Sequence, residues 1–349
     1  MRSSYKESDV ILLLKDITGM VEPQSTEERE KQIQAGRHYC EMLPIEYVPT
    51  KKYMTVYQEA LKQYAKPTAL ATGALADKIM AQRGEHVVLV SLARAGVPIG
   101  ILLKRYIKMK YKIEVPHYAI SIIRGRGIDD NAMKYLLKKY KPEQLLFVDG
   151  WIGKGAILNE LRKDLEAYEG VSPELAVIAD PANVTELCGT HEDILIPSSC
   201  LNSTVSGLVS RTFLRDDIIG ADDFHGAVYY GELSDSDLSY EFIDAIEQNF
   251  ELDSVVKDTK LEGLGVEEVK SIAAKFQIDD INLVKPGIGE TTRVLLRRVP
   301  WKVLIDEKYK EDKELSHIVR LAQEKDVPVE YYPLTHYKCC GIIKKLADA

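Results

Sequence analysis

Short apolar runs alternate with helical segments through the first 250 residues, and this alternation constrains the fold more than any other feature of the sequence. The runs at residues 86–92 and 144–148 are rich in Val, Leu and Ile, which is typical of strands buried on both faces. A glycine-containing loop and a helical apolar pattern follow each run. The alternation predicts an α/β fold with a mostly parallel sheet, helices on both faces and right-handed crossovers.

The same pattern predicts further elements along this part of the chain. A surface helix is expected within the acidic, apolar-periodic segment 231–251. Strands are predicted at residues 116–123, 174–180 and 193–197, and helices at residues 69–83, 99–109, 131–140 and 157–168.

The pattern of apolar and charged residues changes after residue 213, and this change predicts more than one domain. We expect an N-terminal extension over residues 1–75, an α/β core over 76–250 and a small α/β/α sandwich over 256–349. In the last unit, helices are predicted at residues 266–276, 291–299, 315–326 and 339–346, and strands at residues 281–286, 302–306 and 329–334.

Composition and charge narrow the class of protein. The chain has 349 residues, 45% of them hydrophobic, and a net charge of −8, which argues against a protein that coats nucleic acid over its whole surface. The five cysteines are scattered and show no metal-ligand spacing, so reduced thiols and a cytoplasmic location are expected, with no structural zinc. The sequence shows no signal peptide and no apolar run long enough to span a membrane. It does not determine the oligomeric state, and a homo-oligomer is one of the possibilities.

The loop after the 144–148 run has the composition of a phosphate cradle. Asp149 stands at the strand end, and a loop with three glycines and Lys154 leads into a helix. Glycines allow backbone amides to close around an anion, and a helix N-terminus adds a partial positive charge. The plainer interpretation is a strand–turn–helix connection in which Asp149 caps the helix.

Residues 145–157 (LLFVDGWIGKGAI) resemble the PRPP-binding motif of type I phosphoribosyltransferases, with Gly150 in place of the second acid and Lys154 in place of Thr. Two other loops resemble parts of the same site: residues 91–100 resemble the diphosphate loop, and residues 124–130 (RGRGIDD) resemble the mobile flap. The resemblance implies that Asp149 binds ribose and Mg²⁺, the cofactor expected with PRPP. It implies catalytic roles for Asp149, Arg94, Arg124 and Arg126, ribose-phosphate binding by Asp149, Gly150, Gly153, Lys154, Gly155, Ala156 and Ile157, and diphosphate binding by Ala93, Arg94, Ala95 and Gly96.

A loop rich in hydroxyl groups follows at residues 197–213. We interpret it as the acceptor-binding loop, although helix capping is the commoner role of such residues. Cys200 lies within it and could serve instead as the nucleophile of a cysteine peptidase, with His191 or His225 as its base. The predicted acceptor-binding residues are Ser199, Cys200, Asn202, Ser203 and Thr204.

The span from about residue 30 to 250 resembles the StiP family, which is associated with tellurium-resistance and stress-response operons. The motifs that carry the resemblance are VSLARAGVPIG, FVDGWIGKGAI, PSSCLNSTVSGLVSRT and FHGAVYYGEL. The family is linked to a phosphoribosyltransferase-like activity that helps to make a nucleoside-like metabolite, and it also carries the label "cysteine protease".

The C-terminal unit resembles the Pelota-type and kink-turn-binding ribosomal-protein fold. Residues 287–293 (GIGETTR) match its RNA-contact motif, with Gly289 in place of the usual Asn. The resemblance implies contact with structured RNA, at a helix N-terminus that favours phosphate. The implied RNA-binding residues are Lys285, Gly287, Gly289, Glu290, Thr292, Arg293 and Arg297.

These observations leave three hypotheses. The first is a phosphoribosyltransferase that binds PRPP, or a related phosphorylated ribose, with Mg²⁺ and transfers the phosphoribosyl group to a base-like or RNA acceptor. The second is a catalytically degenerate transferase fold that senses a nucleotide and regulates RNA, which the loss of an acid at Gly150 favours. The third is a cysteine peptidase that uses Cys200, and we rank the transferase above it.

Overall fold

The computed structural model describes residues 1–254 and 260–345. The larger unit contains strands β1–β9 and helices α1–α6. In chain order these are β1 (Ile11–Leu12), β2 (Lys15–Asp16), α1 (Thr26–Gln34), α2 (Lys51–Arg83), β3 (Val88–Ala93), α3 (Gly96–Tyr111), β4 (His117–Ile123), β5 (Gly127–Ile128), α4 (Asp130–Leu137), β6 (Leu145–Trp151), α5 (Ala156–Leu165), β7 (Leu175–Ala179), β8 (Cys188–Thr190), β9 (Gly226–Ala227) and α6 (Ser239–Glu247).

A mostly parallel sheet forms the centre of this unit. Its order is β1-β4-β3-β6-β7-β8, every neighbouring pair in that path is parallel, and β5 adds to β4 in the antiparallel direction. The predicted α/β class with a mostly parallel sheet is therefore confirmed. The finer assignment to the type I phosphoribosyltransferase fold stays a prediction.

Both faces of the sheet are covered, as the strand pattern predicts. On β6, Leu146 and Val148 join the apolar cluster that contains α2 and α3, whereas Leu145 and Phe147 join the cluster that contains α4 and α5. This alternation follows from the two-residue period of a strand. A strand with apolar side chains on both faces has no solvent face, which explains why its sequence is a continuous apolar run.

One strand prediction in this unit is wrong. The strand expected at residues 193–197 lies instead at Cys188–Thr190, where it pairs with β7. The carboxylate of Asp193 accepts hydrogen bonds from the backbone amides of Ile288 and Lys338, 3.0 and 2.9 Å away. Contacts with the C-terminal unit therefore hold this apolar segment in an irregular conformation.

The C-terminal unit has a four-stranded sheet of order β10-β13-β11-β12. A helix was expected at residues 339–346, and this prediction is wrong, because Cys339–Ile343 forms a strand between β10 and β11, antiparallel to both. Residues 255–259 and 346–349 lie outside the described residues. The elements of this unit are α7 (Gly265–Lys275), β10 (Val284–Pro286), α8 (Ile288–Arg297), β11 (Pro300–Ile305), α9 (Ser316–Glu324), β12 (Val329–Tyr331) and β13 (Cys339–Ile343).

Helix α8 is one of the elements through which the C-terminal unit contacts the larger one. Its Arg297 donates to the backbone oxygen of Cys200 at 2.7 Å, and the Leu296 carbonyl accepts from the Tyr53 hydroxyl of α2. The Tyr337 hydroxyl also donates to the Gly153 oxygen at 2.7 Å, in the loop after β6. These contacts place the C-terminal unit against the carboxyl edge of the large sheet.

Candidate functional site

A cavity of about 290 Å³ lies between the loop after β6 and the start of the C-terminal unit. The loop after β6 lies at the carboxyl ends of the parallel strands, which is where open α/β sheets bind their ligands. Six of the seven residues predicted to bind ribose phosphate line the cavity, together with Arg124, Lys285, Glu290 and Arg293. Those six are Asp149, Gly153, Lys154, Gly155, Ala156 and Ile157.

Asp149 is the titratable group of this cavity whose ordinary charge is most disturbed. Its carboxylate accepts a hydrogen bond from the amide of Gly150 at 2.8 Å, and the Arg293 cation acts on it more weakly. Burial outweighs both effects and raises the pKa of Asp149 to about 7. The carboxyl therefore gains or loses a proton near neutral pH.

Lys154 does not extend freely into the cavity. Its ammonium donates to the carbonyl oxygens of Ile281 and Val284 at 2.8 and 2.9 Å, and burial, followed by repulsion from Lys285, lowers its pKa to about 8. The side chain predicted to strengthen a phosphate cradle thus ties the β6 loop to the C-terminal unit.

The predicted flap is held by polar contacts on both sides. The Arg124 guanidinium donates to Asn282 at 3.1 Å, and the Arg124 amide donates to the Tyr39 hydroxyl at 3.1 Å. Arg126 forms an ion pair with Glu41 at 2.8 Å. The loop therefore lies closed over residues 39–41, which sequence reasoning did not connect with it.

The predicted diphosphate loop packs tightly against the sheet. Ala93 ends β3, the Ala93–Arg94 peptide is cis, and Ala95 lines the cavity. A Cβ added to Gly96 would lie 2.3 Å from the carbonyl oxygen of Val148, so only glycine fits at the start of α3. The Arg94 guanidinium points to the 197–213 loop, where it donates to the Val209 carbonyl at 2.9 Å and the Asn202 amide oxygen at 3.3 Å.

The predicted acceptor residues lie close together but mostly below the surface. Ser203 donates from its amide and its hydroxyl to the carboxylate of Glu46, at 3.1 and 2.8 Å. Ser199 and Thr204 are buried, while Asn202 and Thr204 line a second cavity of about 260 Å³. Cys200 is buried as well, and that burial raises the pKa of its thiol to about 12.

The two imidazoles predicted as bases for Cys200 contact other groups. His225 Nδ1 lies 2.9 Å from the Ser121 hydroxyl, and His191 Nε2 lies 3.4 Å from the Cys188 sulfur within the apolar cluster of α5. A different cysteine–histidine pair was missed in the sequence: the Cys40 sulfur lies 2.9 Å from His38 Nδ1. The His-x-Cys spacing was the signal that could have found it.

Three of the predicted RNA-contact residues, Gly287, Gly289 and Arg297, lie against the larger unit, whereas Thr292 packs inside the C-terminal unit and the Arg293 side chain is partly exposed. A Cβ on Gly287 would lie 3.0 Å from the Asp193 carboxylate, and Gly289 lies beside Ser199. The Thr292 hydroxyl is buried against His317 at 2.8 Å. Lys285, Glu290 and Arg293 line the first cavity, and Arg297 contacts the 197–213 loop.

Metal binding receives no support from side-chain clustering. Residues 1–254 and 260–345 contain no group of three or more His, Cys, Asp or Glu side chains that could hold a metal ion. Gly150 also occupies the position where the phosphoribosyltransferase motif has its second acid. The magnesium site at Asp149 stays a prediction.

Comparisons with known proteins bear on both units. Residues 3–247 match the family described as "Tellurite-like stress resistance cysteine protease StiP", and residues 263–345 match the "PELOTA RNA binding domain". The "Cysteine protease StiP" of Acinetobacter baylyi (strain ATCC 33305 / BD413 / ADP1) is 34% identical over 363 residues, which cover 98% of this chain and 94% of that protein. In the described part of the chain, no helix is both long and apolar enough to cross a membrane.

These findings correct the functional prediction. Phosphoribosyl transfer was ranked first, and it is wrong, because the matching family and the relative are both described as a cysteine protease. The prediction relied on three glycine-containing loops, and such loops occur both in phosphate-binding sites and in ordinary strand–loop–helix connections. The resemblances to the StiP family and the Pelota-type domain are confirmed, and the chain belongs to the StiP family.

Proposed function

We propose that this protein is a cysteine peptidase in which Cys40 is the nucleophile and His38 is its base. The family and the relative, both described as a cysteine protease, support the reaction class. The contact between the Cys40 sulfur and His38 Nδ1, at 2.9 Å, carries the choice of residues.

The surroundings of His38 indicate which ring nitrogen carries the proton. The backbone amide of Cys40 donates to Nδ1 at 3.4 Å, and a backbone amide can only donate. In the neutral ring, Nδ1 is therefore the acceptor and Nε2 holds the proton. This tautomer can accept the proton of the Cys40 thiol.

The Cys40 thiol is protonated at rest. Burial raises its pKa to about 11, although the Arg126 cation acts in the opposite direction. The proton therefore passes to His38 Nδ1 as the sulfur attacks a carbonyl carbon of the substrate. The amide C–N bond then breaks, the leaving amine takes the proton from His38, and water hydrolyses the thioester to a carboxylic acid and the free thiol.

Access to Cys40 is controlled by the loop that contains Arg124 and Arg126. A Cβ on Gly125 would lie 3.7 Å from His38 Nε2, so this loop covers the imidazole. Gly125 and Gly127 both have positive φ angles, 75° and 91°, which glycine adopts without strain. Opening requires loss of the Arg126–Glu41 ion pair, which is partly exposed and therefore weak.

Peptidase activity of the full chain on casein and on a fluorogenic peptide library tests the proposal. Cys40→Ala and His38→Gln are expected to lower the rate by about 100-fold or more, because each removes a group that acts in bond breaking. Cys188→Ala, whose sulfur lies in the apolar core, is the matched control and should keep activity once circular dichroism shows that it folds.

Cys200→Ala separates the two candidate nucleophiles. Loss of activity in Cys200→Ala, with activity kept in Cys40→Ala, would move the nucleophile to Cys200. Activity that survives all three cysteine substitutions and iodoacetamide would refute the peptidase itself.

We also propose that the C-terminal unit binds RNA through a face other than the docked helix α8. Trp301 is 39% exposed, and the Lys302 ammonium lies 4.6 Å from the centre of its ring. Aromatic rings and cations are the groups that bind unpaired bases and their phosphates. Trp301→Ala should weaken binding of a labelled single-stranded RNA in fluorescence anisotropy, whereas Tyr47→Ala, exposed on the larger unit, should not.

A further inference from the structure

Three arginines from distant parts of the chain meet at the carboxyl edge of the large sheet. Arg94 follows β3, Arg211 lies in the loop of residues 197–213, and Arg297 ends α8. None of the three forms an ion pair with any residue that the structure describes. In the described part of the chain, the hydrogen bonds and ring contacts of their side chains involve uncharged groups: two carbonyl oxygens, the amide oxygen of Asn202 and the ring of Tyr39.

Arg94 and Arg297 converge on the same neutral acceptor. Arg94 Nη2 and Arg297 Nη1 donate to the amide oxygen of Asn202 at 3.3 and 2.7 Å. Arg297 Nε is buried and has no hydrogen-bond partner among the described residues. Two cations that share one amide oxygen, with a spare donor beside them, lack the negative charge that normally offsets such a cluster.

The arginines also disturb one another. Burial lowers the pKa of Arg211 and of Arg297 to about 10, and nearby arginines, Arg94 among them, add to the effect in both cases. Glu46 is the carboxylate that acts most strongly on Arg94, but it accepts its hydrogen bonds from Ser203. One carboxylate is not enough to neutralise three cations.

We propose that Arg94, Arg211 and Arg297 form a binding site for a dianionic phosphate group, held between the larger unit and α8. A carboxylate would neutralise one of the three charges, whereas a phosphomonoester carries about two and offers three acceptor oxygens to the planar guanidinium forks, and a diphosphate carries more charge still. The Arg211 guanidinium lies 5.5 Å from the ring of Tyr39, so the site borders the His38–Cys40 pair. The proposal does not depend on peptidase activity.

The ligand could be a free phosphate compound or the terminal phosphate of an RNA. Both present the same chemistry to the arginines, and the experiment separates them. Calorimetric titration of the full chain with pyrophosphate, with citrate, and with a short RNA carrying either a 5′-phosphate or a 5′-hydroxyl identifies the source.

Arg211→Gln is the principal variant because its side chain forms no hydrogen bond within the described residues. Pyrophosphate should bind the wild type at least tenfold more tightly than Arg211→Gln. Arg162→Gln, at an exposed position on α5, is the matched control and should bind like the wild type. Without ligand, Arg211→Gln should melt at the same temperature as the wild type or higher, because the substitution removes an uncompensated charge.

Each other outcome counts against the proposal. Equal binding of citrate and pyrophosphate would show that the cluster takes carboxylates. If neither pyrophosphate nor the 5′-phosphate of the RNA binds, the proposed site is overturned. It is also overturned if the ligand-free Arg211→Gln protein melts several degrees below the wild type, since Arg211 would then be a structural residue.

Discussion

Replacement of Asp149 by Asn gives the sharpest test of the electrostatics at the sheet edge. The Asp149 carboxyl lines the cavity next to β6 and accepts one hydrogen bond, from the amide of Gly150. Asn has nearly the same shape, and its amide oxygen can accept that bond. The substitution therefore removes the negative charge with little change in packing.

The free energy involved follows from the two pKa values of this group. The carboxyl has an ordinary pKa of 3.8, and burial raises it to about 7 in the folded chain. Folding therefore becomes less favourable by about 1.4 kcal/mol for each pH unit between these values, and the total reaches about 4 kcal/mol. Because the folded pKa is raised, the stability that the protonated Asp149 contributes is fully present below pH 3.8 and is lost as the pH rises towards 7.

Urea denaturation of wild type and Asp149→Asn at pH values from 4.5 to 8.5 measures this difference. The variant should gain stability relative to wild type as the pH rises, up to about 4 kcal/mol, and the gain should level off above pH 7. Asp16→Asn is a control of opposite sign, because Arg2 and Thr18 bind the Asp16 carboxylate and keep its pKa below 3.8. A pH-independent difference for Asp149→Asn would refute the reasoning.

Three further predictions concern packing, docking and the thiol. Gly189→Ala should lower stability by about 1–3 kcal/mol in thermal denaturation, because its Cβ would lie 2.2 Å from a carbonyl oxygen of α2, whereas Gly150→Ala meets only ordinary contacts and should be tolerated. Asp193→Ala should destabilise the protein by about 2 kcal/mol or more in urea, since the buried amide of Ile288 and the partly buried amide of Lys338 lose their acceptor. Unchanged stability would contradict the docking role. Arg126→Gln should move the pH midpoint of Cys40 alkylation by iodoacetamide upward, because the cation favours the thiolate, and an unchanged midpoint would show that it does not reach the sulfur.

The central strands of the large sheet could be read from the sequence. β3 and β6 contain short apolar runs that are each followed by a charged residue, Arg94 or Asp149, then by a glycine and a helical pattern, and these flanking signals favour a buried strand. The loop residues from Asp149 to Ala156 were also predicted to lie together, because they are neighbours in sequence at one strand end. The reaction class could not be read in this way, since glycine loops of similar composition serve several kinds of site.

Residues 339–343 and 193–197 show where local pattern fails. Both segments are apolar, and a short apolar run suits a strand, a helix or a buried irregular segment. The first became a strand because β10 and β11 offer hydrogen bonds on both sides of it. The second stayed irregular because the Asp193 carboxylate accepts hydrogen bonds from the amides of Ile288 and Lys338, which lie 95 and 145 residues further along the chain.

The sequence therefore established the elements whose hydrogen bonds and apolar faces are local, together with the residues of single loops. The tertiary structure decided the contacts between loops: Arg94 and Arg297 share Asn202, although all three are far apart in the chain. It also placed Gly289 and Arg297 of α8, two of the predicted RNA-contact residues, against the larger unit. Such contacts depend on how separately folded surfaces pack, and no local pattern of residue types encodes that packing.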